Sequence, residues 1–403
     1  MPLHRCHTFT LPRLPPGSPR LATWDAVVNV RAMSRTIAGP KVRYGVVGAG
    51  WISQAAFMPG VAQTKNSRLT ALVTGDREKS EALKKKYELE RTVDYDQLET
   101  LFTDDVVDAI YLATPNEQHV DLAVRTLSAG IHLLLEKPMA ISEDECRRIA
   151  AAAKEGKAQV MIGYRLHFDP ATLAALEIVR SGKIGDPRFF SSAFGQKVAA
   201  SNHRAKEGYW AGPVPDMGCY PINASRQLFQ SEPLEVMATG IESPGTSFGF
   251  HDTVSVTMRF PQERLAQFTV SYATAALGQY RVAGTEGDLE VANGFSFESP
   301  IEHVLTLDGK TTRKTFDQVD QFSGQLHAFS KHLLEGTEPE PGPHEGWADV
   351  RVLVAIEESL RTQKPVTLEK FPHAVRYAQP DQAEHFPPTK TPELIDAAAP
   401  ADG

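Results

Sequence analysis

The stretch GIHLLLEKPMAIS, residues 130 to 142, runs from four apolar positions, Ile131 and Leu133 to Leu135, straight into Glu136, Lys137 and Pro138. An apolar run of this kind suits a strand buried on both faces of a parallel sheet. In open α/β sheets ligands collect outside the carboxyl ends of the strands, so an ammonium just past such an end faces a crevice where it can bind a ligand or manage a proton. A structural ion pair between Glu136 and Lys137 is the simpler reading, but alone it does not require Pro138. The second stretch with chemical potential is GVVGAGWIS, in which Gly48, Gly50 and Ser53 stand at the positions of a G-x-G-x-x-G turn. Gly48 allows the tight turn, Gly50 lets backbone approach a pyrophosphate, and Ser53 is small enough for close helix packing. Trp51 and Ile52 complete the turn and join Gly48 and Gly50 as cofactor-binding candidates.

These residues need a scaffold. VRYGVVG (42 to 48), LTALVTG (69 to 75), VVDAIYLATP (106 to 115) and AQVMIGY (158 to 164) read as further apolar strands. Between the strands run a helical pattern to about Thr64, the charged helix REKSEALKKKYEL, the glycine-closed helix EQHVDLAVRTLSAG, and SEDECRRIAAAAKEG, which Ser142 and Glu145 open as a capping box. Strand and helix alternating in this way predict an α/β Rossmann-like, doubly wound parallel sheet over residues 41–164. From 165 to 371 the pattern changes. DPATLAALEIVRSGKIG reads as a helix, IGDPRFFSSAFG starts a strand, and DTVSVTMRF, LAQFTVSYA, QYRVAGTEGDLEVA and HVLTLDG alternate apolar with polar residues. With the closing helices QLHAFSKHLLEG and GWADVRVLVAIEESLRTQ, this predicts an α+β region built on a mostly antiparallel sheet with one wet face.

The chain has 403 residues, 41% hydrophobic and 23% charged, enough for two separate cores. Its apolar runs are strand-length, short of the roughly 20 residues of a spanning helix, so no membrane partner is expected. A net charge of -8 repels phosphate polymers and argues against nucleic acid. Cys6, Cys146 and Cys219 are too few and too scattered for a disulfide framework or a thiolate cage, and the histidines lack clustered partners. No metal is expected, and a reducing, cytoplasmic setting fits. Residues 1–40, with the breaker-rich LPRLPPGSPR, read as a disordered arm without a secretory core; alternatively Met33, opening MSRTIAGP, is the true start. Residues 372–403 are polar and proline-broken, and predict an extended tail.

The end of the second strand bears on the choice of nicotinamide cofactor. NAD sites usually hold the ribose with an acidic residue there, where this chain has Thr74, then Gly75, Asp76, Arg77, Glu78 and Lys79. A hydroxyl backed by Arg77 and Lys79 suits a 2′-phosphate, which favours NADP. NAD stays open, because Asp76 can swing back to the ribose and the two cations also suit a solvated helix face.

GVVGAGWIS, ATPNEQH, EKPMA, IGYRLHFDP and DMGCY together resemble the glucose-fructose oxidoreductase and inositol dehydrogenase family, Gfo/Idh/MocA, from about Lys41 to about Thr367. GYRLHFDP, the Thr-Gly-x-x-x-Lys after the second strand and the tyrosine closing DMGCY are most similar to the glucose-fructose oxidoreductase branch. The resemblance implies a Rossmann half, a large open sheet that commonly forms a subunit interface giving a homo-oligomer (dimer or tetramer), and hydride transfer between a nicotinamide and a carbon of a sugar or polyol. It also implies that Lys137 reaches the nicotinamide beside the substrate hydroxyl, with Asp216 and Tyr220 facing the same substrate; a spacing of four puts both on one helix face. Thr114, Pro115 and Asn116 then lie along the cofactor, with His119 in support and Glu136 as an orienting group that touches the nicotinamide ribose. Tyr164, Arg165, His167 and Trp210 are candidates for lining the pocket, Arg165 also for the cofactor, although each equally suits packing at the junction. Gly212, Pro213, Val214 and Pro215 replace the glycine run that many relatives carry before the aspartate, which leaves the substrate open.

Lys137 and Tyr220 have ordinary pKa values of about 10.4 and 10, too high for a base at neutral pH. Their proximity, burial and a positive nicotinamide are expected to lower that of the lysine, and either group then passes the proton. Three other readings remain: an enzyme that retains its cofactor between two sugars, a non-catalytic dinucleotide sensor, and a glycosidase using NAD transiently, for which a histidine in place of Tyr220 is usual.

Overall fold

The computed structural model describes residues 37–205, 208–246, 248–373 and 382–400. The arm expected over residues 1–40, Met33 included, lies outside them except for its last four residues.

Six strands form the first sheet: β1 (Val42–Val47), β2 (Ser67–Val73), β3 (Arg91–Val93), β4 (Ala109–Leu112), β5 (His132–Leu135) and β6 (Val160–Ile162). They are all parallel, in the order β3-β2-β1-β4-β5-β6. β4 and β5 are buried along their whole length, as strands covered by helices on both faces must be. The order reverses between β1 and β4, so the crevice at their carboxyl ends is the switch point where such sheets bind ligands. The short β3 was not evident in the sequence, because RTV is an edge strand without an apolar run.

Nine strands form the second sheet: β7 (Pro187–Lys197), β8 (Glu235–Ile241), β9 (Thr253–Phe260), β10 (Arg264–Ser271), β11 (Ala273–Gly284), β12 (Gly287–Ala292), β13 (Glu302–Leu307), β14 (Lys310–Thr315) and β15 (Val366–Thr367). Their order is β14-β13-β12-β11-β7-β10-β9-β8-β15. The sheet is mixed, since β7 and β10 run parallel while the other pairs are antiparallel. β9 shows why one face is covered: Val254, Val256, Met258 and Phe260 are buried and pack with Ile222, Val352 and Ile356 of the helices Cys219–Phe229 and Pro343–Thr362. The opposite face carries the alternating polar positions of β9 and stays open. β14, KTTRKT, is exposed throughout; its cations mark a guarded edge and hide it from a search for apolar alternation.

Among the described residues no helix is long and apolar enough to cross a membrane. Residues 382–400 have almost no regular structure, yet they are tied to the body: Glu384 N–H donates to the Phe168 carbonyl (3.0 Å) and Asp320 N–H to that of Phe386 (2.8 Å).

Candidate active site

The glycine turn follows β1. Gly48 has φ +98°, and a Cβ there would sit 2.6 Å from the Ala113 carbonyl oxygen, so only glycine fits. Among the described residues, a Cβ on Gly50 would meet nothing within 4 Å. The chain leaves space over Gly50 for a phosphate to approach backbone. Ser53, at the third fingerprint position, donates its hydroxyl to the Gly48 carbonyl (2.7 Å) and so ties the turn to the wide π-helical turn Ser53–Phe57. The Thr114 hydroxyl, just past β4, is buried without a hydrogen-bond partner among the described residues, its methyl 3.2 Å from where a Gly48 Cβ would stand. An orphaned hydroxyl and an open glycine cradle at a switch point fit a dinucleotide. Trp51 faces the second half of the molecule, its ring 6.0 Å from that of Phe297.

At the end of β2, Thr74 is buried and Asp76 caps the helix Arg77–Tyr87, accepting from the Lys79 N–H at 2.9 Å. Capping commits the Asp76 carboxylate to the helix. Arg77 is exposed on the first turn, whereas Lys79 is largely covered and pairs with Asp396 at 3.3 Å.

At the end of β5, the Lys137–Pro138 bond is cis. Glu136 accepts from the Tyr111 hydroxyl (2.8 Å) and from the Lys137 N–H (3.3 Å). Burial pushes the Glu136 carboxyl upward against the pull of Lys137 and Tyr111. Lys137 crosses to the second half of the molecule, where its Nζ donates to the Asp216 carbonyl oxygen (2.6 Å) and carboxylate (3.2 Å). The same Nζ lies 5.2 Å from the centre of the Tyr220 ring. Lys137, Asp216 and Tyr220 are therefore assembled at one place. The helix differs in detail from the expected one: Asp216 sits in a π-helical turn, Val214–Gly218, and Tyr220 in the α-helix that follows. Such wide turns recur at functional sites.

The lysine does not behave as expected. Burial pushes its pKa down, but Asp216, with smaller help from Tyr220, Cys219 and Glu136, pushes it up further, and the net direction is up. For Asp216, burial works toward protonation and is outweighed by Lys137, Arg204 and the Tyr272 hydrogen bond, so its carboxyl is held well below the usual range. The expected lowering omitted a carboxylate in direct contact. The pair is a fixed ammonium and carboxylate.

His119 is buried, with its ring nitrogens 3.0 Å from the carbonyl oxygens of Thr114 and Pro138. Two acceptors favour an imidazolium, yet burial dominates and holds the pKa down to about 4, so the neutral ring donates to one of them. His119 thus ties the end of β4 to the Glu-Lys-Pro turn. Pro115 is exposed and Asn116 donates to the Trp210 carbonyl (2.5 Å), joining the two halves.

The remaining pocket candidates divide. Arg165 is buried, donates to the Phe295 carbonyl (2.7 Å) and to Gln321, and places its guanidinium 4.9 Å from the Tyr220 ring centre, so that this ring contacts two cations. Tyr164 does not offer its hydroxyl to a pocket: it donates to Asp349 (2.6 Å), in a buried cluster with Arg226, Glu345 and Asn223. Trp210 is half-buried with its ring edge-on to that of Tyr209 at 5.4 Å, and His167 faces the Asn223 amide oxygen at 2.9 Å. For Tyr164 the expectation of a substrate contact through its hydroxyl gives way to Asp349, the polar partner that a phenol buried at a junction needs.

Two residues that sequence reasoning missed hold Asp216. Arg204 Nε lies 3.2 Å from its Oδ2, and the Tyr272 hydroxyl lies 2.9 Å from the same oxygen. Arg204 comes from the single 3-10 turn His203–Ala205 and Tyr272 from just past β10, and both stretches are too short to leave a periodic pattern. Among the described residues no group of three or more His, Cys, Asp or Glu side chains is placed to hold a metal.

Comparison with known proteins identifies the family. Residues 42–164 match the oxidoreductase family with an NAD-binding Rossmann fold, and residues 172–290 match the GFO/IDH/MocA C-terminal domain. The fold is similar to that of aldose-aldose oxidoreductase from Caulobacter crescentus, solved with glycerol, at a TM-score of 0.76 and 30% identity over 81% of this chain and 100% of that one. D-xylose 1-dehydrogenase (NADP+) of Haloarcula marismortui is 28% identical over 337 residues, 81% of this chain and 93% of the relative. Inositol 2-dehydrogenase of Rhizobium meliloti is 25% identical over 339 residues, 81% of this chain and 99% of the relative. The chain belongs to the Gfo/Idh/MocA family of oxidoreductases and carries that family's NAD(P)-binding Rossmann half.

Proposed function

We propose that this chain is an NADP-dependent oxidoreductase that transfers a hydride between the nicotinamide and a hydroxyl- or carbonyl-bearing carbon of a sugar or polyol. The observation that carries the reading is the Lys137 ammonium, gripped by Asp216 beside Tyr220 at the carboxyl end of β5. The names of the relatives, for D-xylose, an aldose pair and inositol, support the substrate class. D-xylose and the aldose pair favour an aldose, inositol keeps a polyol open, and none of these names singles out the glucose-fructose oxidoreductase branch.

When bound, the nicotinamide supplies the hydride acceptor or donor. Everything else falls to the chain. An ammonium has three N–H groups, and Asp216 takes two from Lys137; the third is left to donate to the substrate oxygen. A fixed positive charge stabilises the negative charge that develops on that oxygen as its proton leaves in oxidation or as hydride reaches the carbonyl carbon in reduction. Because Lys137 is held protonated, Tyr220 is the better placed group to carry the proton, with Arg165 bracing its ring. Asp216 keeps the ammonium in position, and Arg204 and Tyr272 keep Asp216.

Thr74 and Lys79 support NADP over NAD, since Asp76 is engaged as a helix cap. A homo-oligomer through the second sheet is supported by Phe189, Leu265, Met237 and Ile241, exposed apolar residues on its open face, of which Phe189 and Leu265 are direct neighbours across β7 and β10. The purified protein should reduce NADP with at least one of D-xylose, D-glucose or myo-inositol, read as absorbance at 340 nm; absence of turnover with these and with other aldoses and polyols, using either nucleotide, contradicts the reading.

A further inference from the structure

The segment 382–400 runs toward the glycine turn and then across to the second sheet. Lys86 Nζ donates to the Glu393 carbonyl at 2.5 Å. The buried Gln54 then clasps Ile395 from both sides: its Nε2 donates to the Ile395 carbonyl (2.9 Å) and its Oε1 accepts the Ile395 N–H (2.8 Å). That same Nε2 donates to Ala49 O (2.9 Å), within the glycine turn itself. The next residue, Asp396, places Oδ2 3.3 Å from Lys79 Nζ. Four residues on, the Pro400 carbonyl accepts the Ala199 N–H at 3.1 Å, just beyond β7 of the other half. The chain thus bridges the glycine turn and the second sheet.

We propose that residues 393–400 are a strap over the adenosine end of the cofactor site, and that the Asp396 carboxylate is the group a 2′-phosphate has to displace from Lys79. This rests on the reading of Lys79 as the 2′-phosphate ligand. A carboxylate and a phosphate are alternative partners for one ammonium. Asp396 is 77% exposed, so its pair with Lys79 is screened and readily exchanged. The strap therefore tunes NADP binding and does not block it. NAD has no 2′-phosphate and is indifferent to Asp396. The strap narrows the preference for NADP that Lys79 confers.

The test is the dissociation constant of NADP and of NAD, by calorimetry on the full chain, for wild type, Asp396→Asn and Asp396→Arg, each with Lys79 intact and with Lys79→Ala. The exposure of Asp396 makes these substitutions compatible with folding. With Lys79 intact, NADP binding tightens about 2- to 5-fold in Asp396→Asn and further in Asp396→Arg, while NAD changes less than about 1.5-fold. Lys79→Ala weakens NADP binding and removes the gain of Asp396→Asn. A series in which NADP affinity is flat, or in which NAD moves in step with NADP, overturns the strap. If Lys79→Ala weakens NADP but the Asp396 series is flat, only the strap fails; if Lys79→Ala leaves NADP affinity unchanged, the reading of Lys79 fails and the strap with it.

Discussion

Asp216 holds the Lys137 ammonium with two oxygens at once, its carbonyl at 2.6 Å and its carboxylate at 3.2 Å. Lys137 comes from the turn past β5 and Asp216 from the π-helical turn Val214–Gly218 of the second half, so this grip is both one join between the halves and the electrostatic setting of the lysine. It turns a residue expected to be a lowered-pKa base into a standing cation.

Replacing Asp216 by Asn should therefore act through Lys137. With the carboxylate gone, burial is left as the largest influence on the lysine and its pKa falls. The alkaline limb of the pH–rate profile should move to lower pH, and kcat should drop about 10- to 100-fold, the worth of a hydrogen bond to a charged group. An unmoved limb with unchanged kcat contradicts the coupling.

Lys79→Ala should weaken NADP binding by about 10- to 100-fold, through loss of one charge-assisted contact to phosphate, and leave NAD within about 2-fold. Equal losses for both nucleotides place Lys79 elsewhere than at the 2′-phosphate.

The open face of the second sheet gives a prediction about assembly. Phe189→Glu with Leu265→Glu puts two carboxylates at neighbouring positions of β7 and β10. Light scattering on eluting protein should show an oligomer for wild type and a monomer for the double variant. Oligomers of the same size in both mean that the face is not the interface.

His119 contributes a pH dependence of stability. Burial lowers its folded pKa from the ordinary 6.5 to about 4. Well above pH 6.5 neither folded nor unfolded chain holds the proton, and the group is neutral to stability. As pH falls toward 4 the unfolded chain takes up a proton that the folded chain refuses, so stability is lost. Between pH 7 and 5 this amounts to about 2 kcal/mol, and His119→Gln should lose that much less in urea unfolding over the same interval. Identical losses in both proteins contradict the assignment.

Features that the backbone itself demands were legible in the sequence. Gly48 must adopt a positive φ against the Ala113 carbonyl, and β4 and β5 must be apolar on both faces, so the turn and the sheet could be read from residue types. Lys137 was legible because a buried strand ended in charge. What surrounds Asp216 was not: Arg204 and Tyr272 reach it through tertiary packing from 12 and 56 residues away, and side-chain reach leaves no period. The same limit applies to Tyr164, which the family resemblance made a pocket candidate and whose hydroxyl answers to Asp349, 185 residues on. The tail read as polar and broken, yet its backbone groups find Gln54, Lys86 and Ala199 as partners, which composition cannot reveal.

The most direct measurement is single-turnover hydride transfer, followed by stopped-flow absorbance at 340 nm with saturating NADP and the best sugar substrate, for wild type, Lys137→Met and Tyr220→Phe. Loss of a positioned cation or proton carrier predicts a rate about 10²- to 10⁴-fold lower in each variant with nucleotide affinity little changed. Wild-type rates in both would mean that the ammonium and the phenol, though adjacent, do not act on the reacting carbon.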